Sequence, residues 1–133
     1  MPEHPDLALV ERFHRALVSN DVAALRELLA NDVEWHMSGR SRFAGSHKGR
    51  EAVAGFVREM HELTGGTFRP LRPDSHDVCS SGYHTVLMDR FLASRDGKEL
   101  DTHVAFVVVA EAGKVTLLLP YFYDQYAFDQ FWS

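Results

Sequence analysis

YHTVLMDRFLASRDGKELDTHVAFVVVAEAGKVTLLLPYFY, from Tyr83 to Tyr123, decides the fold. It divides into three strand-like runs, about Tyr83–Ser94, Glu99–Ala110 and Lys114–Tyr123, rich in β-branched and aromatic residues. Asp96-Gly97 and Ala112-Gly113 sit between them, where tight hairpin turns are needed. Three strands joined this way make an antiparallel meander. Within the first run, Thr85, Leu87, Asp89, Phe91 and Ala93 share one face and Val86, Met88, Arg90 and Leu92 the other. Asp89 is thus a carboxylate among apolar neighbours.

Upstream of the meander the apolar period is helical. Leu7, Val10, Phe13, Ala16 and Leu17 recur at three- and four-residue steps, a helix with one buried stripe. Asn20-Asp21 interrupts it, and Asp21 is a suitable N-cap for a short helix carrying Val22, Leu25, Leu28 and Leu29. Val33–Met37 reads as a short strand ended by Ser38-Gly39, followed by a glycine-bearing loop around Gly45 and Gly49. Val53, Phe56, Val57 and Met60 mark a third helix, closed by Gly65-Gly66. Thr67–Leu71 is extended, with Pro70 and Pro73 restricting it to an edge or a bulge. The tail, Asp124 to Trp132, adds one short helical turn. Helices first and a meander afterwards predict an α+β fold, with helices covering one face of a curved antiparallel sheet.

Composition narrows the function. A chain of 133 residues with 45% hydrophobic and 25% charged residues fits one globular domain, residues 1–133. Nineteen Asp and Glu against fourteen Lys and Arg, with no basic run, argue against a nucleic-acid partner. The longest apolar stretches, Val104–Ala110 and Val115–Pro120, are too short to cross a bilayer, and the first residues lack the pattern of a signal peptide. Cys79 is the lone cysteine, so no internal disulfide forms. The expectation is a cytoplasmic protein. No His-x-His or His-Glu-x-x-His pattern predicts a metal, and no dinucleotide fingerprint, phosphate loop or Gly-x-Ser-x-Gly elbow is present. Any chemistry is expected to need no cofactor.

Several stretches resemble the SnoaL-like proteins of the nuclear-transport-factor-2-like superfamily. They are Leu9-Val10-Glu11-Arg12, Asn20-Asp21, Ala24-Leu25-Arg26-Glu27-Leu28, Asp32-Val33-Glu34-Trp35-His36, Phe43-Ala44-Gly45, Gly49-Arg50-Glu51-Ala52-Val53 and the closing Asp124–Trp132. The resemblance implies a cone-shaped α+β barrel, three N-terminal helices packed in a strongly bent antiparallel sheet, with an apolar pocket at its open end. It also implies a homodimer. Aligned with ketosteroid isomerase, a member of the superfamily, His36 falls where that enzyme has its carboxylate base. Phe13 and Phe106 fall at or near its two oxyanion donors, which speaks against steroid-type isomerisation. Leu119 replaces a tryptophan common in SnoaL-like relatives, and Asp89 occupies a position that is usually apolar and pocket-facing.

Each candidate has a functional and a plain reading. His36 points to the face opposite Trp35, so it is either a proton-transferring group in the pocket or a buried imidazole satisfied by a carbonyl. Asp89 either orients His36, acts as a base itself, or forms a salt bridge to Arg90, Arg58 or Arg42. His14 reaches the pocket mouth or the solvent, and His103 faces outward if Val104 and Phe106 face inward. His47, His61, His76 and His84 read as solvated. The pocket wall is assigned to Phe13, His14, Phe43, Phe56 and Met60 on the helical side. Phe91, Val104, Phe106 and Leu118 complete it from the sheet. On the opposite face Val86, Met88, Leu92, Val115, Leu117 and Leu119 are too apolar to stay wet, which predicts pairing with a second copy. Tyr121 and Tyr123 also share one face of the last strand. A small apolar organic ligand suits such a pocket. Three functions follow: a cofactor-independent cyclase, isomerase or dehydratase, a non-catalytic small-molecule binder, or a protein-interaction module.

Overall fold

The structure, a computed structural model, describes residues 5–72, 77–81 and 83–133. Pro73 and His76, both named above, lie outside the described residues. The chain begins with helices α1 (Pro5–Ser19) and α2 (Val22–Leu28) and strands β1 (Leu29–Met37) and β2 (Gly45–Lys48). Helix α3 (Arg50–Leu63), strands β3 (Arg69–Pro70) and β4 (Asp77–Ser81), and the long strands β5 (His84–Arg95), β6 (Lys98–Glu111) and β7 (Lys114–Phe122) follow. Helix α4 (Gln125–Trp132) ends the fold.

Local chemistry places the helices as the sequence predicts. Asp21 caps α2, its carboxylate accepting the Ala24 amide at 3.1 Å. The stripe Leu9, Val10, Phe13, Ala16 and Leu17 of α1 is buried, as are Val53, Phe56, Val57 and Met60 of α3. Each large apolar side chain removed from water stabilises the fold by roughly 1.5–3 kcal/mol. Both hairpins turn where expected, with positive φ at Asp96 and Gly97 and again at Ala112 and Gly113.

The sheet departs from expectation in two respects. Its order is β2-β1-β7-β6-β5-β3, with β4 also on β5, and β1 runs parallel to β7 while the other pairs are antiparallel. The sheet is therefore mixed. It is also open, neither closed into a cone nor strongly curled, because β2 and the β3/β4 edge stand at opposite ends without pairing. The antiparallel meander was readable from its turns, but no tight turn joins β1 to β7 to fix their relative direction. The tail forms a two-turn helix rather than a single turn and buries Phe128, Phe131 and Trp132.

A third correction concerns Val115. It is fully buried rather than outward, because the β6–β7 register shifts between Val109 and Ala110 and turns Val115 to the core beside Ala110. Val86, Leu92, Leu117 and Leu119 stay half-buried on the outer face, with Met88 exposed. No helix among the described residues is long and apolar enough to cross a membrane.

Candidate active site

The inner face of β5 carries Thr85, Leu87, Asp89, Phe91 and Ala93, as the alternation predicts. Asp89 meets His14 of α1. The imidazole Nε2 lies 2.6 Å from Oδ2 of Asp89, and both side chains are only 4% exposed. With the carboxylate ionised, Nε2–H donates to it, in a charge-assisted bond. The second oxygen, Oδ1, accepts the amide of Arg90 at 2.7 Å. Asp89 thus has both oxygens engaged, and the imidazole is held edge-on to it.

The partner of Asp89 is therefore His14 and not His36. Val33, Trp35 and Met37 take the inward positions of β1, and the larger indole leaves His36 on the outer face. There the His36 Nδ1 lies 2.7 Å from the Ser46 hydroxyl and Nε2 is 3.9 Å from Glu34, with the side chain 39% exposed. Asp89 also makes no bridge to Arg90. The Arg90 guanidinium instead bonds both oxygens of Asp101, at 2.7 and 2.6 Å. That contact raises the Arg90 pKa and holds the Asp101 carboxyl below the usual carboxylate range.

Two more histidines differ from their solvated reading. His61 is buried in α3, its Nε2 2.8 Å from the carbonyl of Leu17 and its ring edge-on to Phe68. His47 stacks on Phe56 at 4.7 Å and lies 2.7 Å from the Phe43 carbonyl. His84 and His103 are exposed as expected. The helical phase that buries His61 lies in the sequence, since Val57 and Met60 stand four and one residues before it.

The interior is filled with rings. Phe68 and Phe91 stack at 5.0 Å, and Phe91 packs against His14 at 6.1 Å between centroids. Phe13, Trp35, Phe56 and Phe106 form a second cluster of edge-to-face contacts, with Phe13 tilted on Trp35. Between the clusters lies a void of about 30 Å³, lined by Trp35, Met37, Met60, Phe91, Val104 and Phe106 among others. Of the predicted wall, Met60, Phe91, Val104 and Phe106 border this void. Phe13, His14, Phe43, Phe56 and Leu118 are buried behind it. A larger hollow of about 630 Å³ is bordered by residues of both sheet faces, among them Met88, Asp89, Arg90, His103, Val104 and Tyr121. Among the described residues, no three His, Cys, Asp or Glu side chains converge as a metal site.

Comparison with known proteins gives consistent findings. Residues 10–118 match the family model described as a SnoaL-like domain. An uncharacterized protein of Mycobacterium tuberculosis is 29% identical over the full length of both chains. The structure of Bal32a, from a soil-derived mobile gene cassette, is 36% identical with 96% of each chain covered and a TM-score of 0.89. An NTF2-like protein from Burkholderia xenovorans shares the fold at 20% identity, with 96% and 95% of the two chains covered and a TM-score of 0.82. The fold also recurs in TerC co-crystallized with polyporic acid, at 17% identity over 96% and 98% of the chains with a TM-score of 0.80. A "putative polyketide cyclase" of Xanthomonas campestris shares it at 18% identity over 96% of each chain, with a TM-score of 0.73.

Proposed function

The chain belongs to the SnoaL-like family, and from that premise we propose that it is a cofactor-independent enzyme of acid–base chemistry on a small apolar or polyketide-like molecule. The reaction class is cyclisation, isomerisation or dehydration, each of which needs a proton removed from carbon and returned elsewhere. The observation that carries this reading is the buried His14–Asp89 pair beside an aromatic interior. Asp89 holds His14 at 2.6 Å, and the imidazole takes the substrate proton. The resulting cation is stabilised by the carboxylate already in place. The proton-transferring role passes from His36 to His14, and Asp89 keeps the orienting role.

Substrate entry requires the interior to open. About 30 Å³ is the share of one water, so rings must move before an organic molecule fits. Met37 and Met60 line the void and are the deformable part of its wall. Phe91 touches both the void and His14, so its displacement joins the two. The likeness to TerC and to the Xanthomonas protein supports a flat, polyketide-like ligand class.

The test is exchange of the α-protons of 2-tetralone in D2O, followed by proton NMR. The wild-type protein is expected to accelerate exchange. His14→Gln is expected to lower the rate roughly 10²–10⁴-fold, equivalent to about 3–5 kcal/mol of barrier. Asp89→Asn should lose less, and His36→Ala should lose nothing. Full activity in His14→Gln removes this imidazole from the chemistry.

One observation favours a second reading. Phe91, Phe106 and Leu118 are 3%, 5% and 0% exposed, so the interior is packed. A filled core suits an interaction module whose working surface is the outer sheet face. On either reading we take that face to pair with a second copy of the chain.

A further inference from the structure

Alternation along two strands gathers four polar side chains on one patch of the outer sheet face. On β1 the inward set Val33, Trp35 and Met37 leaves Glu34 and His36 outward. On β2 the inward His47, stacked on Phe56, leaves Ser46 and Lys48 outward. The antiparallel register then sets His36 opposite Ser46 and Glu34 opposite Lys48. Contacts follow from that register. Ser46 Oγ lies 2.7 Å from His36 Nδ1, His36 Nε2 lies 3.9 Å from Glu34, and Glu34 lies 3.7 Å from Lys48. The carboxylate stands on the Nε2 side of the ring and favours the proton there. Nδ1 is then the lone pair that accepts the Ser46 hydroxyl.

Hydroxyl, imidazole and carboxylate therefore stand in sequence, as do a serine nucleophile, its base and the group that steadies the imidazolium. Such a set is defined by geometry and roles, so it needs no Gly-x-Ser-x-Gly elbow. Access to Ser46 is open. Strand β2 is an edge of the sheet, and even a Cβ added to the preceding Gly45 would meet nothing within 4 Å. Leu117 lies opposite Glu34 on β7 and is half-buried, an apolar seat on the far side of the polar patch.

We propose that Ser46 is a nucleophile, with His36 as its base, and that aryl esters of small carboxylic acids acylate it. Oγ attacks the ester carbonyl carbon while its proton passes to Nδ1. The bond to the aryl oxygen breaks, and the proton leaves with the phenol. Water, giving a proton to His36, then cleaves the acyl-serine, releasing the carboxylic acid and restoring the hydroxyl. The surroundings select this class, because the aryl ring rests on Leu117 and a phenolate departs more readily than an alkoxide. The patch lies on the sheet face opposite Asp89 and works without the His14–Asp89 pair.

The experiment adds 4-nitrophenyl acetate to the full chain, follows 4-nitrophenolate by absorbance and locates the acetyl group by peptide mass spectrometry. An initial release of about one phenolate per chain is expected, with the acetyl group on Ser46. Ser46→Ala should lose both. His36→Gln should slow acetylation roughly 10²-fold or more. Glu34→Gln, which acts through His36, should slow it up to about fivefold, the share of an exposed ion contact, and added salt should close that gap. Lys48→Arg removes the neighbouring amine and should leave the release and the acetyl-serine unchanged. None of the four side chains is buried, so each variant should keep the fold, which circular dichroism checks. An acetyl group on Lys48 or His47 in place of Ser46, or a release that survives in Ser46→Ala, overturns the proposal. So does a His36→Gln variant acetylated at the wild-type rate, or a wild type that releases no more phenolate than buffer.

Discussion

Asp89 costs the fold something that an apolar side chain at the same strand position would not. A carboxylate that is 4% exposed is tolerable only because His14 and the Arg90 amide meet its two oxygens. Asp89→Ala and His14→Ala are each expected to lower the unfolding free energy by about 2–4 kcal/mol, since each strips a buried polar group of its partner. The double substitution removes both groups at once and should cost clearly less than the two added together. Urea denaturation of the four proteins measures this, and strict additivity would show that the contact contributes nothing. Half of this buried pair was legible beforehand. The alternation around Leu87 and Phe91 places Asp89 inward without any structure. Its partner was not legible, because the rotation of α1 about its own axis relative to β5 is set by packing across 75 residues of chain. His36 failed for a different reason. Alternation separates His36 from Trp35 but does not say which faces in, and the signal that decides it was present in Val33, Trp35 and Met37 as an apolar set.

Strands reveal themselves in sequence to the degree that they are buried. The meander of β5, β6 and β7 was readable, whereas β2 (Gly45–Lys48) and β4 (Asp77–Ser81) were not. Both are short and largely exposed and carry no apolar alternation to detect. Turns were legible in place but not in strain. Ala112 sits at φ +52° ahead of Gly113 in the β6–β7 hairpin, a left-handed conformation that costs a residue with a Cβ roughly 1–2 kcal/mol. Ala112→Asn supplies a residue that tolerates this region in the favoured Asn-Gly order, and should stabilise the protein by about 0.5–1 kcal/mol. An unchanged or lower melting temperature would refute this. Gly39 predicts the opposite sign. It sits at φ +94°, where an added Cβ would lie 2.4 Å from Asp129 Oδ1 and from Gln125 Nε2. Those side chains tie α4 to the end of β1, Asp129 accepting the Arg40 amide at 2.9 Å and Gln125 donating to the Ser38 carbonyl at 3.2 Å. Gly39→Ala should cost about 1–3 kcal/mol through backbone strain and the loosened tie. Amide exchange should quicken first in α4, and protection unchanged there would argue against the tie.

At the scale of the whole molecule, the unequal treatment of the two sheet faces is the remaining question. The inner face is closed by rings and helices, whereas the outer face leaves Met88 47% and Tyr121 58% exposed beside half-buried Val86, Leu92 and Leu119. An apolar strip bordered by charge has the anatomy of an interface, with Glu34 and Lys48 paired toward one side and Arg90 and Asp101 toward the other. A two-fold axis through such a strip sets it against its own copy, so one surface supplies both halves of the contact. A stable interface of ordinary size needs about 800 Å² from each partner. The hollow of about 630 Å³ that Met88 and Tyr121 border gives side chains of a second copy a place to insert. We therefore expect light scattering at micromolar concentration to give twice the chain mass of 15.1 kDa. Met88→Glu combined with Tyr121→Glu should return the single-chain mass while preserving the circular dichroism of the fold, because neither side chain belongs to the core. Carboxylates at both positions repel across the axis and leave charge undried, so dissociation follows from electrostatics and desolvation rather than from unfolding. A wild-type mass of one chain at that concentration would leave the exposed strip for a different protein partner.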